Sequence, residues 1–213
     1  MTRHFRAPAL AVLSLLTVAT TARAQSTDAA RSDAASDLRG SMRTLWEDHI
    51  VWTRNFIISA AAGLPDQPLV TERLLRNQTD IGNAIKPFYG DGAGDRLTAL
   101  LRGHITTAAE LVTAAKANDQ GRVRSASERW NANADSIAVL LSGANPRNWP
   151  EATLKTEMRR HLELTLNEAQ ARLRGDWAAD IRAYDEVHTH MVHFSDLLAS
   201  GIARQFPDRV ARR

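Results

Sequence analysis

The sequence contains no cysteine, which excludes disulfides, thiolate metal sites and the covalent attachment of a c-type haem. It also lacks the patterns of common catalytic sites, since it has no His-Glu-x-x-His, Gly-x-Ser-x-Gly or P-loop motif. No stretch alternates polar and apolar residues as a half-buried β-strand does. We therefore assign no catalytic residue and expect no β-sheet.

The first 24 residues have the anatomy of a secretory signal peptide. Arg3 and Arg6 precede an apolar run at positions 7–18, and the small-residue site Ala22-Arg23-Ala24 follows that run. The run is too short to cross a bilayer comfortably, and no later stretch is long and apolar enough to do so. We expect cleavage after Ala24 and an exported protein, periplasmic or secreted, with no integral membrane segment.

Cleavage would also balance the charge of the chain. The full sequence has 27 Lys and Arg residues against 24 Asp and Glu residues. Three arginines and no acidic residue lie in the first 24 positions, so 24 charges of each sign remain. A neutral domain with dispersed charges has no electrostatic footprint for nucleic acid, so we expect no nucleic-acid partner.

The rest of the chain divides into three parts by composition. Residues 25–36 are small and polar and predict a flexible linker. Residues 37–206 carry the apolar pattern of a single helical domain, and residues 207–213 form a basic tail.

Within residues 37–206, apolar positions recur every three or four residues between breaks rich in glycine and proline. The pattern predicts six helices, at about residues 38–62, 67–86, 95–117, 122–141, 151–174 and 177–206. Pro87 should end the second helix, the glycine-rich stretch 88–95 should be a turn, and Trp149 should cover one end. Because the connections are short, we expect an all-α fold, an antiparallel up-and-down bundle with four long core helices plus shorter helical segments.

Four histidines each lie near the midpoint of a different predicted helix. The midpoints of an antiparallel bundle come to one level, so the four imidazoles should converge there. Two carboxylates lie two turns from two of these histidines, on the same faces. Bundles bind divalent zinc, iron, manganese or copper with such groups, which makes a divalent metal ion the indicated cofactor. The predicted metal ligands are His49, His104, His161, His188, Glu168 and Asp180.

Other polar residues lie on or at the edge of the buried faces. The candidates for binding a small polar ligand are Asn77, Asn133, Tyr184 and His190. The same groups could instead complete a hydrogen-bonded polar core, with Arg172 and Asp180 paired across the turn at Gly175.

The sequence leaves three hypotheses for the function open. The first is a non-catalytic bundle that binds or sequesters a metal ion or small polar ligand at its middle. The second is a structural or stress-related interaction protein whose histidines form a satisfied polar core, with unknown protein partners. The third is a metal-dependent enzyme, for which a metal-activated water is the visible route.

Three stretches carry a resemblance to a known family: Leu45–Ile57, Leu74–Gly82 and Asp180–Asp196. With them the chain resembles a family of small exported bacterial helical-bundle proteins, over roughly residues 38–208. The resemblance implies export and an all-helical fold. Members of that family often carry a glycosyltransferase label, but this sequence has neither a βαβ unit nor an Asp-x-Asp motif to support it.

Overall fold

The structure is a computed structural model that describes residues 13–212, with side chains described from residue 29 onward. The described residues form α-helices joined by short turns, without a β-strand, so the predicted all-α class is confirmed. The first half of the predicted signal peptide, residues 1–12, lies outside the described residues. The helices are α1 (Leu13–Ala62), α2 (Gln67–Tyr89), α3 (Asp91–Lys116), α4 (Gln120–Ala144), α5 (Glu151–Arg174), α6 (Trp177–Gln205) and α7 (Pro207–Val210).

The six long helices form a closed ring, in which each helix packs against its neighbours in sequence and α6 closes on α1. Short connections make successive helices antiparallel, so α1, α3 and α5 run in one direction and α2, α4 and α6 in the other. The three odd-numbered helices also touch one another across the core. Six long helices therefore build the bundle rather than the predicted four, and α1, α3 and α5 share its centre.

The junction of α2 and α3 differs from the sequence prediction. Pro87 lies inside α2 rather than ending it, and only Gly90, with a φ of 84°, separates the two helices. Because Pro87 falls in the last turn, its missing N–H removes only one late backbone hydrogen bond. Gly94 of the predicted turn serves packing instead: a Cβ on Gly94 would lie 2.6 Å from the carbonyl oxygen of Gly82 on α2.

The predicted flexible linker is also incorrect, since residues 25–36 continue helix α1. No glycine or proline occurs between positions 13 and 39, and the stretch is rich in alanine, the strongest helix former. Ala34 packs against the core of the bundle, and Arg31 pairs with Asp208 at 2.9 Å. This part of α1 is therefore tied to the bundle.

The predicted basic tail contains the short helix α7. Val210 is buried in the main core, and the guanidinium of Arg209 donates a hydrogen bond to the carbonyl oxygen of Phe88 at 2.9 Å. The sequence signal was the one large apolar side chain among the arginines, Val210.

Trp149 covers one end of the bundle, as predicted. Its side chain is fully buried, and its indole packs directly on the backbone of α6, where Gly201 leaves room for the ring. Asn145, in the same connection, donates to the carbonyl oxygen of Gly201 at 3.0 Å. None of the described helices is long and apolar enough to cross a membrane.

We expect Gly82→Ala to lower the free energy of unfolding by about 1–3 kcal/mol, because the methyl group would be forced against the α3 backbone and the Thr98 side chain. Urea denaturation measures the effect. The matched control is Gly92→Ala, which lies in a helix with open space at its Cβ and should be neutral or slightly stabilising. Equal stabilities of the two variants would contradict the close crossing of α2 and α3.

Candidate functional site

Three of the four predicted histidines meet at the centre of the bundle, where α1, α3 and α5 touch. The ring of His161 lies 5.8 Å from that of His49 and 5.9 Å from that of His104, measured between centroids. Their exposed fractions are 3% for His49, 3% for His104 and 5% for His161. We call these three residues the histidine layer.

His104 uses both of its ring nitrogens in hydrogen bonds. Its Nε2 accepts from Trp130 Nε1 at 3.2 Å, so its Nδ1 carries the proton and donates to Asn133 Oδ1 at 3.0 Å. Asn133 is itself oriented by donating to the carbonyl oxygen of Leu100. Both ring nitrogens of His104 are therefore occupied, and neither is left to bind a metal.

His49 is paired more loosely. Its Nδ1 lies 3.3 Å from the amide nitrogen of Gln78, which is closer to two other acceptors, the Leu74 carbonyl at 2.9 Å and Asn77 Oδ1 at 3.0 Å. An amide with two hydrogens cannot fully satisfy three acceptors. The bond to His49 is therefore the weakest of the three.

His161 has a single polar contact, between its Nδ1 and Thr165 Oγ1 at 3.4 Å. Among the described residues, the Nε2 atoms of His49 and His161 have no hydrogen-bond partner. Within residues 29–212, Trp46 Nε1, Thr53 Oγ1 and Gln78 Oε1 are also buried without a partner. The polar groups in and near the layer are thus only partly satisfied.

Burial keeps the layer uncharged at neutral pH. Desolvation, and to a lesser extent repulsion from His104, lowers the pKa of His49 to about 3. Desolvation also lowers the pKa of His104 to about 4, against the hydrogen bond to Asn133. The pKa of His161 is also well below its usual value, because of burial and then of repulsion from His49 and His104. The layer consists of three neutral imidazoles.

The two predicted carboxylates lie at one end of the bundle, where they pair with arginines. Glu168 accepts from Arg54 Nη1 at 2.9 Å, and Asp180 accepts from Arg54 Nη2 at 2.9 Å and from Arg172 at 3.2 Å. Both carboxylates are only 1% exposed. We call these four residues the arginine quartet. The pair of Arg172 and Asp180 was one of the alternatives left open by the sequence.

A small cavity of about 10 Å³ connects the histidine layer with the arginine quartet. His49, His161, Thr53, Thr165 and Glu168 contribute to its wall. Burial raises the pKa of Glu168 to about 7, because desolvation outweighs the attraction of Arg54. A polar column therefore runs from the middle of the bundle to the half-buried guanidinium groups of the quartet.

A second enclosed cavity of about 20 Å³ lies on the other side of the layer, towards Trp149. Its wall is apolar and includes Met42, Met158 and Met191 beside the three imidazoles. This volume is about that of one water molecule.

His188 lies outside the layer, contrary to the prediction. It is half-exposed and bonded to Glu47 at 2.8 Å on the outer side of α1 and α6. The error is one of register. Arg172 on α5 pairs with Asp180 on α6, and the two helices are antiparallel. Eleven residues before Arg172 and eleven residues after Asp180, His161 therefore lies level with Met191. Met191 occupies the position that His188 was expected to fill.

The four predicted ligand-binding residues are dispersed. Asn77 donates to the Leu45 carbonyl, and Asn133 holds His104. Tyr184 lies beneath the guanidinium of Arg54 at 5.2 Å, and His190 contacts the Glu157 carbonyl at 3.1 Å. These residues support neighbouring groups and do not line a common ligand pocket.

Among the described residues, no group of three or more His, Asp or Glu side chains is placed to hold a metal ion. The six predicted ligands therefore do not form one centre. His188 is on the surface, the carboxylates belong to arginines, and His104 has no free nitrogen.

Sequence reasoning missed Arg54, Gln78 and Trp130 as partners of the site. Arg54 and Gln78 have a weak sequence signal, since Arg54 follows His49 by five residues and Gln78 adjoins the predicted Asn77. Which polar side chain Trp130 meets depends on the packing of α3 against α4.

Comparison of the chain with protein-family models gives no match, and neither curated proteins nor solved structures show a significant match. The resemblance to exported bacterial bundle proteins therefore stays an expectation. The function must be argued from the geometry.

The stability of the fold should depend on pH through the histidine layer. Each layer histidine has a folded-state pKa below its ordinary value of 6.5, so the folded protein binds fewer protons than the unfolded chain in acid. Stability is then full above pH 6.5 and falls as the pH drops towards the folded-state values. Urea unfolding at pH 7 and pH 5 should show a loss approaching about 1.4 kcal/mol per pH unit for each histidine.

Three variants test the origin of this slope, the change in the free energy of unfolding per pH unit. His161→Leu should reduce it, whereas His193→Asn, at an exposed position on α6, should leave it unchanged. Glu168 acts in the opposite sense, because its raised pKa contributes stability below pH 4.5 that is lost as the pH rises through 7. Glu168→Gln should therefore make the acid loss steeper. An unchanged slope in His161→Leu would contradict this account.

Proposed function

We propose that the protein is a non-catalytic, exported helical bundle that acts as an acid-responsive interaction protein. The observation that carries the proposal is the meeting of three buried, neutral imidazoles from three different helices, with ring centroids 5.8 and 5.9 Å apart. Histidine is the side chain whose charge changes between neutral and mildly acidic pH, and clusters of it open interfaces in pH sensors.

Protonation of the layer would be unfavourable while the bundle stays closed. Two unit charges at this separation repel by about 3 kcal/mol at an effective dielectric constant of 20. Glu168, which borders the layer, and Asp180 are held by Arg54 and Arg172, so neither carboxylate is free to stabilise a positive charge on the rings. Protons are therefore accommodated by opening the bundle and hydrating the rings.

The surroundings of the layer favour this response from every side. The groups that meet it from α2 and α4 are Gln78, Asn133 and Trp130, which do not titrate. From α6, His190 adds a further repulsion to His161 when protonated. From α5, Glu168 borders the layer, and its carboxyl becomes neutral early in acidification because its pKa is raised. Arg54 of α1 then keeps its positive charge.

Among the described residues, buried polar atoms without a hydrogen-bond partner lie beside the layer. Each buried polar group without a partner costs about 1–3 kcal/mol, and Trp46, Thr53 and Gln78 each have one such atom around the layer. Apolar residues would fill the same space without that loss. Sequences tolerate such local conflicts mainly at functional positions.

Exposed apolar residues near the arginine quartet support the interaction part of the proposal. Trp177 is 57% exposed and Ile181 is 56% exposed, one turn apart at the start of α6. Arg172 of the quartet stacks on the Trp177 ring at 4.7 Å. Opening at this end would extend an apolar surface that is already exposed.

Acidification should expose apolar surface in a reversible step. We expect anilinonaphthalene sulfonate fluorescence to rise between about pH 5 and pH 3, near the folded-state pKa values, and to reverse on neutralisation. The midpoint should move to lower pH in His161→Leu and stay in place in His193→Asn. The opened wild-type protein should also suppress aggregation of an acid-denatured reporter protein.

Two results would contradict the proposal. A midpoint that is the same in His161→Leu as in the wild type would remove the histidine layer as the trigger. If the bundle opens in acid but does not suppress aggregation of the reporter protein, it is acid-labile and has no interaction role.

Export has its own test. N-terminal sequencing of the protein recovered from the periplasm or medium of its native cells should begin at Gln25, because cleavage is expected after Ala24. Recovery of a chain that still begins at Met1 within the cells would contradict export.

A further inference from the structure

We infer that the apolar cavity beside the histidine layer is a binding site for a soft monovalent cation, Cu(I), held by the thioethers of Met42, Met158 and Met191 together with His161. This inference goes beyond the proposed acid response and shares only His161 with it. It replaces the predicted site for a divalent ion by a site whose ligands are mainly thioether sulfurs.

The distribution of sulfur in the chain points to this site. The sequence has no cysteine and only four methionines, and the three after the initiator all line this one cavity. They are 2% exposed at Met42, 4% at Met158 and 1% at Met191, and they come from α1, α5 and α6. Thioether side chains from three helices therefore border one enclosed space.

The register of the helices brings these residues to neighbouring levels. Arg172 pairs with Asp180, so Met158 on α5 comes opposite about residue 194 of α6. Arg43 pairs with Asp196, so the adjacent Met42 on α1 comes opposite about residue 197. Together with Met191, these levels span about 9 Å of helix rise.

His161 is the imidazole best placed to join the thioethers. It is level with Met191 and lies three residues after Met158, on the same face of α5. Its Nε2 has no hydrogen-bond partner among the described residues, whereas His104 is closed by Trp130 and Asn133. Its Nδ1 contact with Thr165 orients the ring, as outer partners do for metal-binding histidines.

The donor chemistry selects the ion. Thioether ligands are soft and favour Cu(I), whereas divalent calcium, magnesium and manganese favour carboxylates, which arginines occupy here. The cavity of about 20 Å³ has room for a single atom and not for an organic molecule. Methionine side chains are flexible enough to close around an ion.

The test is anaerobic competition for Cu(I) between the mature protein and bicinchoninate. We expect one Cu(I) per chain. The double variant Met158→Leu, Met191→Leu should weaken binding by at least about 100-fold, since even outer partners of metal ligands are worth 10–100-fold. Leucine conserves the volume of methionine, so the variant should stay folded, as circular dichroism will verify. His193→Asn is the control for surface histidines.

A second measurement does not depend on a variant folding. X-ray absorption at the selenium edge of selenomethionine-labelled protein loaded with Cu(I) should show copper in the first shell of selenium. The inference is overturned if the wild type takes up no Cu(I), if the folded double variant binds it equally well, or if selenium has no copper neighbour.

Discussion

The structure depends on the contact of three parallel helices, α1, α3 and α5, at the centre of a six-helix ring. Because the inner faces of these helices meet at the centre of the ring, the residues they turn inward there are fully desolvated. Each of the three supplies a histidine there, and desolvation keeps all three rings neutral. A ring of helices around an apolar centre would need no such groups. The histidine layer makes the stability of the whole bundle depend on the protonation of its middle.

At one end of the bundle, the arginine quartet buries acidic groups instead of imidazoles. There Glu168 and Asp180 are as deeply buried as the imidazoles, but two guanidinium groups compensate their charges. Breaking such a pair costs far more than forming it gains, because the partner is left charged and buried. The quartet ties α1, α5 and α6 together, whereas the layer is held by looser contacts. The two polar clusters therefore differ in strength, and the layer is the weaker one.

Much of the fold could be predicted because it depends on local sequence. The bounds of α5 agree with the prediction to the residue, since Pro150 precedes the helix and Gly175, with a φ of 73°, follows it. The errors at residues 25–36 and at Pro87 arose from reading composition and a single proline as breaks, although the surrounding residues favour a helix. The position of the His188 side chain could not be predicted from local sequence. Only the packing of α5 against α6 fixes which residue of α6 lies level with His161 and how far His188 is turned from the core. Arg54 was missed for a related reason, because its long side chain reaches acids on two other helices.

The two proposals are coupled through charge. A cation bound by the thioethers and a proton bound by an imidazole would each place a positive charge in the same low-dielectric region, with His161 belonging to both sites. Each therefore disfavours the other, and by thermodynamic linkage the effect is reciprocal. Bound Cu(I) would hold the layer in its neutral, closed form and stabilise the bundle by mass action. Acid would displace the ion as it opens the core. Neither the neutral imidazoles nor the neutral thioethers bring a negative charge into the centre of the bundle, so neither group offsets the charge of a bound proton there.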